Sequence, residues 1–146
     1  MSTELDPAGI ASLNEIFKNY LPGLIGMRFT AAGDRWIEAE LTVCKQVMAP
    51  NGYLHAGTVV SLADTCCGAA CVRALPSGAK GFTTIELKSN FLGTLLEGVI
   101  FCRTEAKHLG RTTQLWDAEV SDKASGKTIA LFRCTQMVIW PKASGG

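Results

Sequence analysis

The sequence predicts an α+β fold in which a curved antiparallel sheet of five to six strands wraps around one long central helix. Residues 51–75 are small and apolar on every side, so a helix formed there has no solvated face and belongs in the core. A hairpin precedes this helix, and four strand-like segments joined by short links follow it. One buried helix between two groups of strands favours a single sheet packed on that helix.

The chain is predicted to open with a short amphipathic helix. Asp6 and Pro7 form a cap and first-turn signal. Apolar side chains then recur at helical spacing, at Ile10, Leu13, Ile16, Phe17 and Tyr20. Pro22 and Gly23 are predicted to end this helix.

A hairpin is predicted next, with its turn at Gly33 and Asp34. It joins residues 27–32 to residues 35–43. In the second strand apolar residues alternate with polar ones, Ile37, Ala39, Leu41 and Val43 against Glu38, Glu40 and Thr42. This alternation indicates one buried and one solvated face.

The central helix follows the turn-forming residues 50–52, Pro-Asn-Gly, and should end near residues 76–78, Pro-Ser-Gly. The segments after it are rich in β-branched and aromatic residues, with glycine in each intervening turn, and lie at residues 82–91, 98–106, 112–121 and 127–140. Because short links favour antiparallel neighbours, these four strands are expected to form a meander in chain order.

Composition bounds the class of protein. The 146 residues are the size of one ordinary domain, so residues 1–146 are predicted to form a single unit. The formal net charge is +1 and the 14 basic residues are spread along the chain, which argues against nucleic acid or a membrane surface as a partner. The first ten residues lack the pattern of a secretory signal or a transit peptide, so a cytoplasmic location is expected.

The six cysteines are predicted to be reduced packing residues, because a chain this long and apolar does not need a disulfide framework. No CxxC or Cys/His spacing suggests zinc, so no metal is implied.

Asp64 is the candidate catalytic residue. Between Leu54 and Arg73 only Asp64 and His55 ionise readily, and Asp64 lies near the middle of the apolar run. A carboxylate in that setting must be paired, be protonated or face a cavity. Apolar surroundings should raise its pKa and make it a stronger base than a carboxylate in water, which suits it to activate water or attack a carbonyl group.

The start of the central helix offers a second candidate site. The backbone N–H groups of Ala56 and Gly57 should be unpaired there, at the favourable end of the helix dipole. Such groups can stabilise the negative charge that develops on a carbonyl oxygen during acyl transfer. His55, just before them, is interpreted either as a site residue or as a cap of the helix.

The string His55-Ala56-Gly57, with Asp64 nine positions after the histidine in Ser-Leu-Ala-Asp, resembles the His-Gly-Gly segment and catalytic acid of hotdog-fold acyl-CoA thioesterases of the phenylacetic-acid-degradation type. The stretches FTTIELKSNFLG after the helix, HLGR at residues 108–111 and DKASGK before the last strand extend this resemblance along nearly the whole chain. The resemblance implies a hotdog fold and hydrolysis of an acyl-CoA thioester to a free acid and coenzyme A, which is part of the substrate, with no cofactor. It also implies a homodimer as the minimum active unit and a homotetramer as the assembly.

The same resemblance assigns further residues. Thr84 lies where relatives carry a hydroxyl on the strand after the helix, and would hold water or orient Asp64. Arg111 and Lys107 are candidates for binding the phosphates of coenzyme A. Two positions depart from the family pattern, which usually has glycine in place of Ala56 and often has Asn or Gln in place of Ala49. Asn51 is the candidate replacement for that missing amide.

Helix geometry predicts that two subunits share each site. Gly57 and Asp64 are seven residues apart on one helix, which places them roughly 10 Å apart along the axis. A bound thioester needs both within a few ångströms of its carbonyl group. The helix start of one subunit is therefore expected to face Asp64 of another across a two-fold interface.

Three alternative functions stay open at this point. A cysteine hydrolase would use Cys66 or Cys67 with His55 or His108, but apolar burial raises the pKa of a thiol and opposes that chemistry. An enoyl-CoA hydratase or dehydratase on the same fold would need an Asp and a His placed to act together. A non-catalytic acyl-CoA-binding protein would bind such a ligand without turning it over.

Overall fold

A computed structural model describes residues 4–144 of the chain. The helices are α1 (Pro7–Phe17), α2 (Leu21–Leu24) and α3 (Ala56–Arg73), with a 3-10 turn at Lys45–Val47. The strands are β1 (Met27–Ala32), β2 (Trp36–Thr42), β3 (Gly81–Phe91), β4 (Val99–Leu109), β5 (Thr113–Asp122) and β6 (Thr128–Ile139). Residues 1–3 and 145–146, the ends of the predicted domain, lie outside the described residues.

The first helix begins as predicted and ends earlier. The Asp6 carboxylate caps α1 by accepting a hydrogen bond from the Gly9 N–H at 2.8 Å. The prediction that Pro22 and Gly23 end this helix is wrong, because α1 ends at Phe17 and Pro22 lies in the first turn of α2. Proline suits a first turn because its missing N–H has no helical partner to lose there.

The hairpin of β1 and β2 matches its prediction. Met27 pairs with Leu41 and Ala32 with Ile37, and the Gly33 N–H donates to the Trp36 carbonyl at 2.9 Å across the turn. The inward residues of β2, Ile37, Ala39 and Leu41, are at most 1% exposed. One face of this strand therefore packs on the core, as the alternation predicts.

All six strands form one antiparallel sheet in the order β1-β2-β4-β5-β6-β3. The predicted meander is correct for β4, β5 and β6, and wrong for β3, which pairs with β6 instead of β4. The link between β3 and β4 stays at the β6 side first, where the Leu92 N–H donates to the Ile129 carbonyl at 2.7 Å. It then passes the start of α3, where the Leu54 N–H donates to the Thr94 hydroxyl at 3.0 Å.

Helix α3 packs across the inner face of this sheet and contacts every strand. Its sheet-facing side is buried, at Thr58, Val59, Leu62, Ala63, Cys66, Cys67, Ala69, Ala70 and Cys71. The prediction that the helix has no uncovered face is wrong for the single chain, because the sheet covers one side only. We give the name open stripe to a row of helix residues that the sheet does not cover; it comprises Gly57, Ser61, Asp64, Thr65, Gly68 and Val72.

The six cysteines are all free thiols. Five of them pack between α3 and the sheet, as predicted, at Cys66, Cys67, Cys71, Cys102 and Cys134. The prediction of a packing role is wrong for Cys44, which is exposed in the segment after β2. Val43 and Val47 in the same segment are buried in the core, so the exposure of Cys44 is not shared by the whole segment.

Candidate active site

Asp64 lies in an apolar cleft of about 390 Å³ formed by α3, α1, α2 and β3. Aromatic and aliphatic side chains from these elements form most of its walls, at Ile16, Phe17, Tyr20, Pro22, Val72 and Phe82. Gly68, one turn after Asp64, leaves room for the Phe82 ring, since a Cβ at Gly68 would lie 3.2 Å from the ring's Cζ. The cleft is therefore a largely apolar space with one carboxyl group in its wall.

The Asp64 carboxyl group loses solvation on burial, and protein hydrogen bonds do not fully replace it. Its Oδ1 atom is buried and has no hydrogen-bond partner among the described residues. Loss of solvation raises the pKa of this carboxyl. An acid held in this way is a stronger base once ionised, which is the property a proton-transfer site needs.

The start of α3 is capped by His55. Its Nδ1 atom accepts a hydrogen bond from the Gly57 N–H at 2.8 Å. The prediction that both N–H groups at the helix start are unpaired is therefore wrong for Gly57. For Ala56, no hydrogen bond from the N–H to another described residue is found.

Within one chain, the helix start and Asp64 are not brought together. Ala56 and Asp64 are eight residues apart in α3, a rise of about 12 Å. Neither Ala56 nor Gly57 lines the Asp64 cleft. The two halves of the predicted site thus lie at separate places along the open stripe.

Thr84 does line the cleft, on the strand that follows α3. Its hydroxyl donates to the side-chain oxygen of Gln136, Oε1, at 2.6 Å. Gln136 is fully buried behind it on β6, the direct cross-strand partner of Thr84. The hydroxyl proton of Thr84 is therefore directed at Gln136, which does not line the cleft.

Asn51 lies at an exposed turn before α3. Its side-chain oxygen accepts from the Tyr53 N–H at 3.2 Å, which makes it a turn residue of the kind that Asn often forms. Ala49, at the position of the family amide, contributes only its main chain, with its N–H donating to the Tyr53 carbonyl at 2.7 Å. Asn51 does not line the Asp64 cleft.

The two predicted phosphate-binding residues lie elsewhere on the chain. The Arg111 guanidinium stacks on the Trp140 ring with its Cζ 4.3 Å from the ring centroid. Lys107 lies in β4 with its Nζ 3.8 Å from the Glu105 carboxylate. Neither lines the Asp64 cleft.

Sequence reasoning missed one group of cleft residues and one buried residue behind the cleft. The first is the aromatic wall of Phe17, Tyr20 and Phe82. Helical spacing predicts that one face of α1 is buried, but it does not predict which element that face packs against. The second is Gln136, which interrupts the inward-facing apolar row of Phe132, Cys134 and Val138. A polar residue at an inward position of a strand was the available signal.

The cysteine-hydrolase alternative has little support in the structure. Burial raises the pKa of the Cys66 and Cys67 thiols well above their ordinary value and that of Cys71 to about 12.

Among residues 4–144, no group of three or more His, Cys, Asp or Glu side chains is placed to hold a metal ion. Over the same residues, no helix combines the length and the hydropathy needed to cross a membrane.

Comparison with known proteins gives consistent results. Residues 51–129, more than half of the chain, match the family described as the thioesterase superfamily. A crystal structure of a mutant thioesterase from Pseudomonas aeruginosa has a TM-score of 0.85 and 31% identity, and the match covers 94% of this chain and 99% of that one. A 1,4-dihydroxy-2-naphthoyl-CoA hydrolase from Listeria monocytogenes is 28% identical over 111 residues, which cover 76% of this chain and 89% of that protein.

A fourth comparison concerns the fold alone. The Escherichia coli PaaI protein from the phenylacetic acid degradation operon has a TM-score of 0.77 at 23% identity, with 88% of this chain and 91% of that one covered.

Proposed function

Because the chain belongs to the thioesterase superfamily and has the hotdog fold, we propose that it hydrolyses an acyl-CoA thioester to the free acid and coenzyme A, with Asp64 as the general base or nucleophile. Membership of this superfamily makes it a thioester hydrolase. The coenzyme A part of the proposal is supported by the Listeria relative, whose name identifies a coenzyme A thioester as its substrate.

The observation that carries the proposal is the state of the Asp64 carboxyl. It stands in an apolar cleft with a buried oxygen that has no partner among the described residues, and burial raises its pKa. Leaving a polar atom in this condition costs stability, so a purely structural acid would be expected to gain a partner. A reacting group instead needs that oxygen free.

Two routes are open to such a carboxylate. It can take a proton from water while the water oxygen attacks the thioester carbonyl carbon, or it can attack that carbon itself and form an anhydride that water then cleaves. In both, the carbon–sulfur bond breaks and the sulfur of coenzyme A leaves. Negative charge on the carbonyl oxygen must be stabilised in either case.

The helix start is the proposed oxyanion site. The Ala56 N–H is directed out of the first turn of α3, where the helix dipole favours negative charge. The Gly57 N–H becomes a second donor only if the His55 imidazole releases it. In this proposal, the His55 imidazole accepts the hydrogen bond of the Gly57 N–H until substrate binds.

A second copy of the chain is proposed to complete the site. Asp64 and the helix start are both in the open stripe, yet about 12 Å apart along one helix. The strand β3 beside the stripe pairs on one edge only and exposes Ile85 and Leu87, at 56% and 44%. A two-fold dimer that covers these surfaces would place one subunit's helix start near its partner's acid. We propose the dimer as the active unit and a tetramer as its assembly.

The acyl group is proposed to lie in the cleft beside Asp64, because the aromatic and aliphatic walls suit an apolar group. The coenzyme A moiety would extend into solvent. Arg111 and Lys107 are retained as proposed phosphate contacts, since both side chains are exposed cations.

The test is a thiol-release assay with the purified protein over aryl, short-chain and long-chain acyl-CoA thioesters. We expect turnover of at least one class, and a loss of at least about 100-fold in kcat for Asp64→Asn, as for removal of a positioned acid or base. The substitution is nearly isosteric, so substrate binding should change much less than kcat.

Three results would contradict the proposal. Unchanged turnover in folded Asp64→Asn would exclude Asp64 from the chemistry. Binding of the thioesters without any thiol release would instead identify a non-catalytic acyl-CoA-binding protein, and water addition to an enoyl-CoA would identify a hydratase.

A further inference from the structure

Gln136 occupies a core position that ordinarily holds an apolar side chain. The inward row of β6 is buried throughout, at Phe132, Cys134, Gln136 and Val138, and Gln136 is 0% exposed. A buried side-chain amide destabilises a fold unless both ends are hydrogen-bonded. An apolar residue would avoid that requirement, so the amide calls for an explanation beyond packing.

Both ends of this amide are engaged, and one of them leads to the cleft. The Gln136 Oε1 atom accepts from the Thr84 hydroxyl at 2.6 Å, and its Nε2 atom donates to the Cys134 sulfur at 3.4 Å. Thr84 and Gln136 are opposed in the β3–β6 ladder, immediately before the register shift between Thr84 and Glu86. Opposed residues share a face of the sheet, so the two side chains meet directly.

The direction of this hydrogen bond determines what Thr84 offers the cleft. An amide oxygen can only accept, so the hydroxyl proton of Thr84 is committed to Gln136. The lone pairs of the hydroxyl oxygen remain for the cleft, which Thr84 lines together with Asp64. Towards a bound molecule, Thr84 is thus a hydrogen-bond acceptor.

A water nucleophile needs this polarity. To attack a carbonyl carbon, the water must direct a lone pair at that carbon, which leaves its two protons to be held by acceptors. The Asp64 carboxylate can hold one proton and the Thr84 oxygen the other. A hydroxyl that donated to the water would occupy a lone pair and weaken the nucleophile.

We propose that Gln136 is a positioning residue that fixes Thr84 as an acceptor and so orients the attacking water against Asp64. This inference rests on the proposed hydrolysis, and it favours the general-base route. The water oxygen bonds to the carbonyl carbon and one water proton passes to Asp64. The electrons of the carbon–sulfur bond then leave with the sulfur of coenzyme A, which takes up the proton from Asp64, while Thr84 keeps its bond to the remaining water proton.

The test compares two buried glutamines. Gln136→Met removes the acceptor of Thr84, whereas Gln114→Met removes an equally buried amide whose partners, the Trp116 ring N–H and the Ala74 carbonyl, lie outside the cleft. With the acyl-CoA that the parent turns over fastest, we expect Gln136→Met to lower kcat about tenfold, as for loss of one orienting hydrogen bond, and KM to stay within about twofold. Gln114→Met should lose thermal stability and keep its kcat.

A double-mutant cycle separates positioning from structural damage. Thr84→Val, nearly isosteric, should lower kcat by a similar factor, and adding Gln136→Met to it should lower kcat no further, because the amide acts only through the hydroxyl. Thr84→Ser should retain most of the activity. Thr84→Val also keeps the test decisive if Gln136→Met does not fold.

Three results would overturn the inference. They are an unchanged kcat in Thr84→Val, an unchanged kcat in folded Gln136→Met, and a multiplicative loss in the double variant. Each of these, together with an inactive Asp64→Asn, leaves the proposed hydrolysis standing. An active Asp64→Asn overturns the proposed hydrolysis and this inference with it.

Discussion

At the scale of single residues, the proposed role of Asp64 predicts that this side chain lowers the stability of the fold. An ionised carboxylate in an apolar wall loses solvation, and the free Oδ1 atom gains no hydrogen bond among the described residues in return. Replacing it by a neutral side chain of the same shape should therefore stabilise the chain while removing activity. Opposite effects on stability and turnover are expected of a reacting group and not of a structural one.

The sign of this effect can be tested against pH. Burial raises the pKa of Asp64, so the folded chain holds the proton more tightly than the unfolded chain, in which an Asp titrates near pH ~3.9. Stability then falls as pH rises from the unfolded to the folded pKa, and the loss is complete above the folded pKa. We expect Asp64→Asn to melt at the same temperature as the parent below about pH 4 and at a higher temperature at neutral pH.

Asp122 provides the control of opposite sign. The Ser125 hydroxyl and the Ala124 N–H hold the pKa of its carboxyl below the ordinary value. Its contribution to stability is present above the unfolded pKa and is lost as pH falls through the folded pKa. Asp122→Asn should thus lower the melting temperature at neutral pH. Thermal melts of Asp64→Asn, Asp122→Asn and the parent, from below about pH 4 to neutral pH, test both expectations. A lower neutral-pH melting temperature for Asp64→Asn would contradict the account of Asp64.

The local sequence was enough to select Asp64 as a candidate, because a lone acid in an apolar run is rare. That choice did not require knowledge of which residues surround Asp64 in the folded chain. The surroundings of Arg111 were not predictable in the same way. Its stacking on Trp140 joins a turn to the end of the last strand, 29 positions away, and no local pattern encodes such a contact. Gln136 was missed for a related reason, since its partner Thr84 lies across a pairing of two strands that are not neighbours in sequence.

At the scale of elements, the start of α3 depends on an unusual cap. Helices usually begin with Ser, Thr, Asp or Asn, whose side-chain oxygen accepts an N–H of the first turn. Here the His55 imidazole has that role through Nδ1, and the His55 N–H is itself fixed by the Val47 carbonyl at 3.2 Å. The side chain and the main chain of His55 therefore both hold the helix start in place.

We expect His55→Ala to lower the free energy of unfolding by about 1 kcal/mol, the usual effect of removing a helix cap. His55→Asn supplies another acceptor at the same position and should stay within a few tenths of a kcal/mol of the parent. Urea denaturation followed by circular dichroism measures both. Equal stability of His55→Ala and the parent would show that the imidazole does not stabilise the helix.

The order of strands was the least predictable part of the fold. Alternation identified each strand, because it depends only on the two faces of that strand. The seven residues 92–98 could turn back and pair β3 with β4, or cross the end of the sheet and leave β3 beside β6. A short link of this composition is compatible with both. The crossing is selected by contacts to Ile129 and Leu54, which lie 37 residues after and 38 residues before Leu92.

At the scale of the whole molecule, the open stripe and the free edge of β3 leave one side of the core uncovered in a single chain. Half-buried Asp64, exposed Gly57 and exposed Val72 all lie on that side. Apolar and small residues on one uncovered face are characteristic of a contact between protein surfaces. A shared site and a completed core would then arise from the same contact.

Subunit mixing tests the shared site. Asp64→Asn disables the acid, and Gly57→Val disables the helix start, because a Cβ at Gly57 would lie 2.9 Å from the His55 Nδ1 and force the capping ring to move. In a dimer of one copy of each, one site inherits both defects and the other neither, so random reassortment of equal amounts should restore roughly a quarter of the parent activity. The measurement is thiol release after reversible dissociation and reassembly, with each parent variant reassembled alone as the control. If both variants are inactive, folded and shown to exchange subunits, and the mixture still has no activity, the acid and the helix start act within one chain and the dimer has another role.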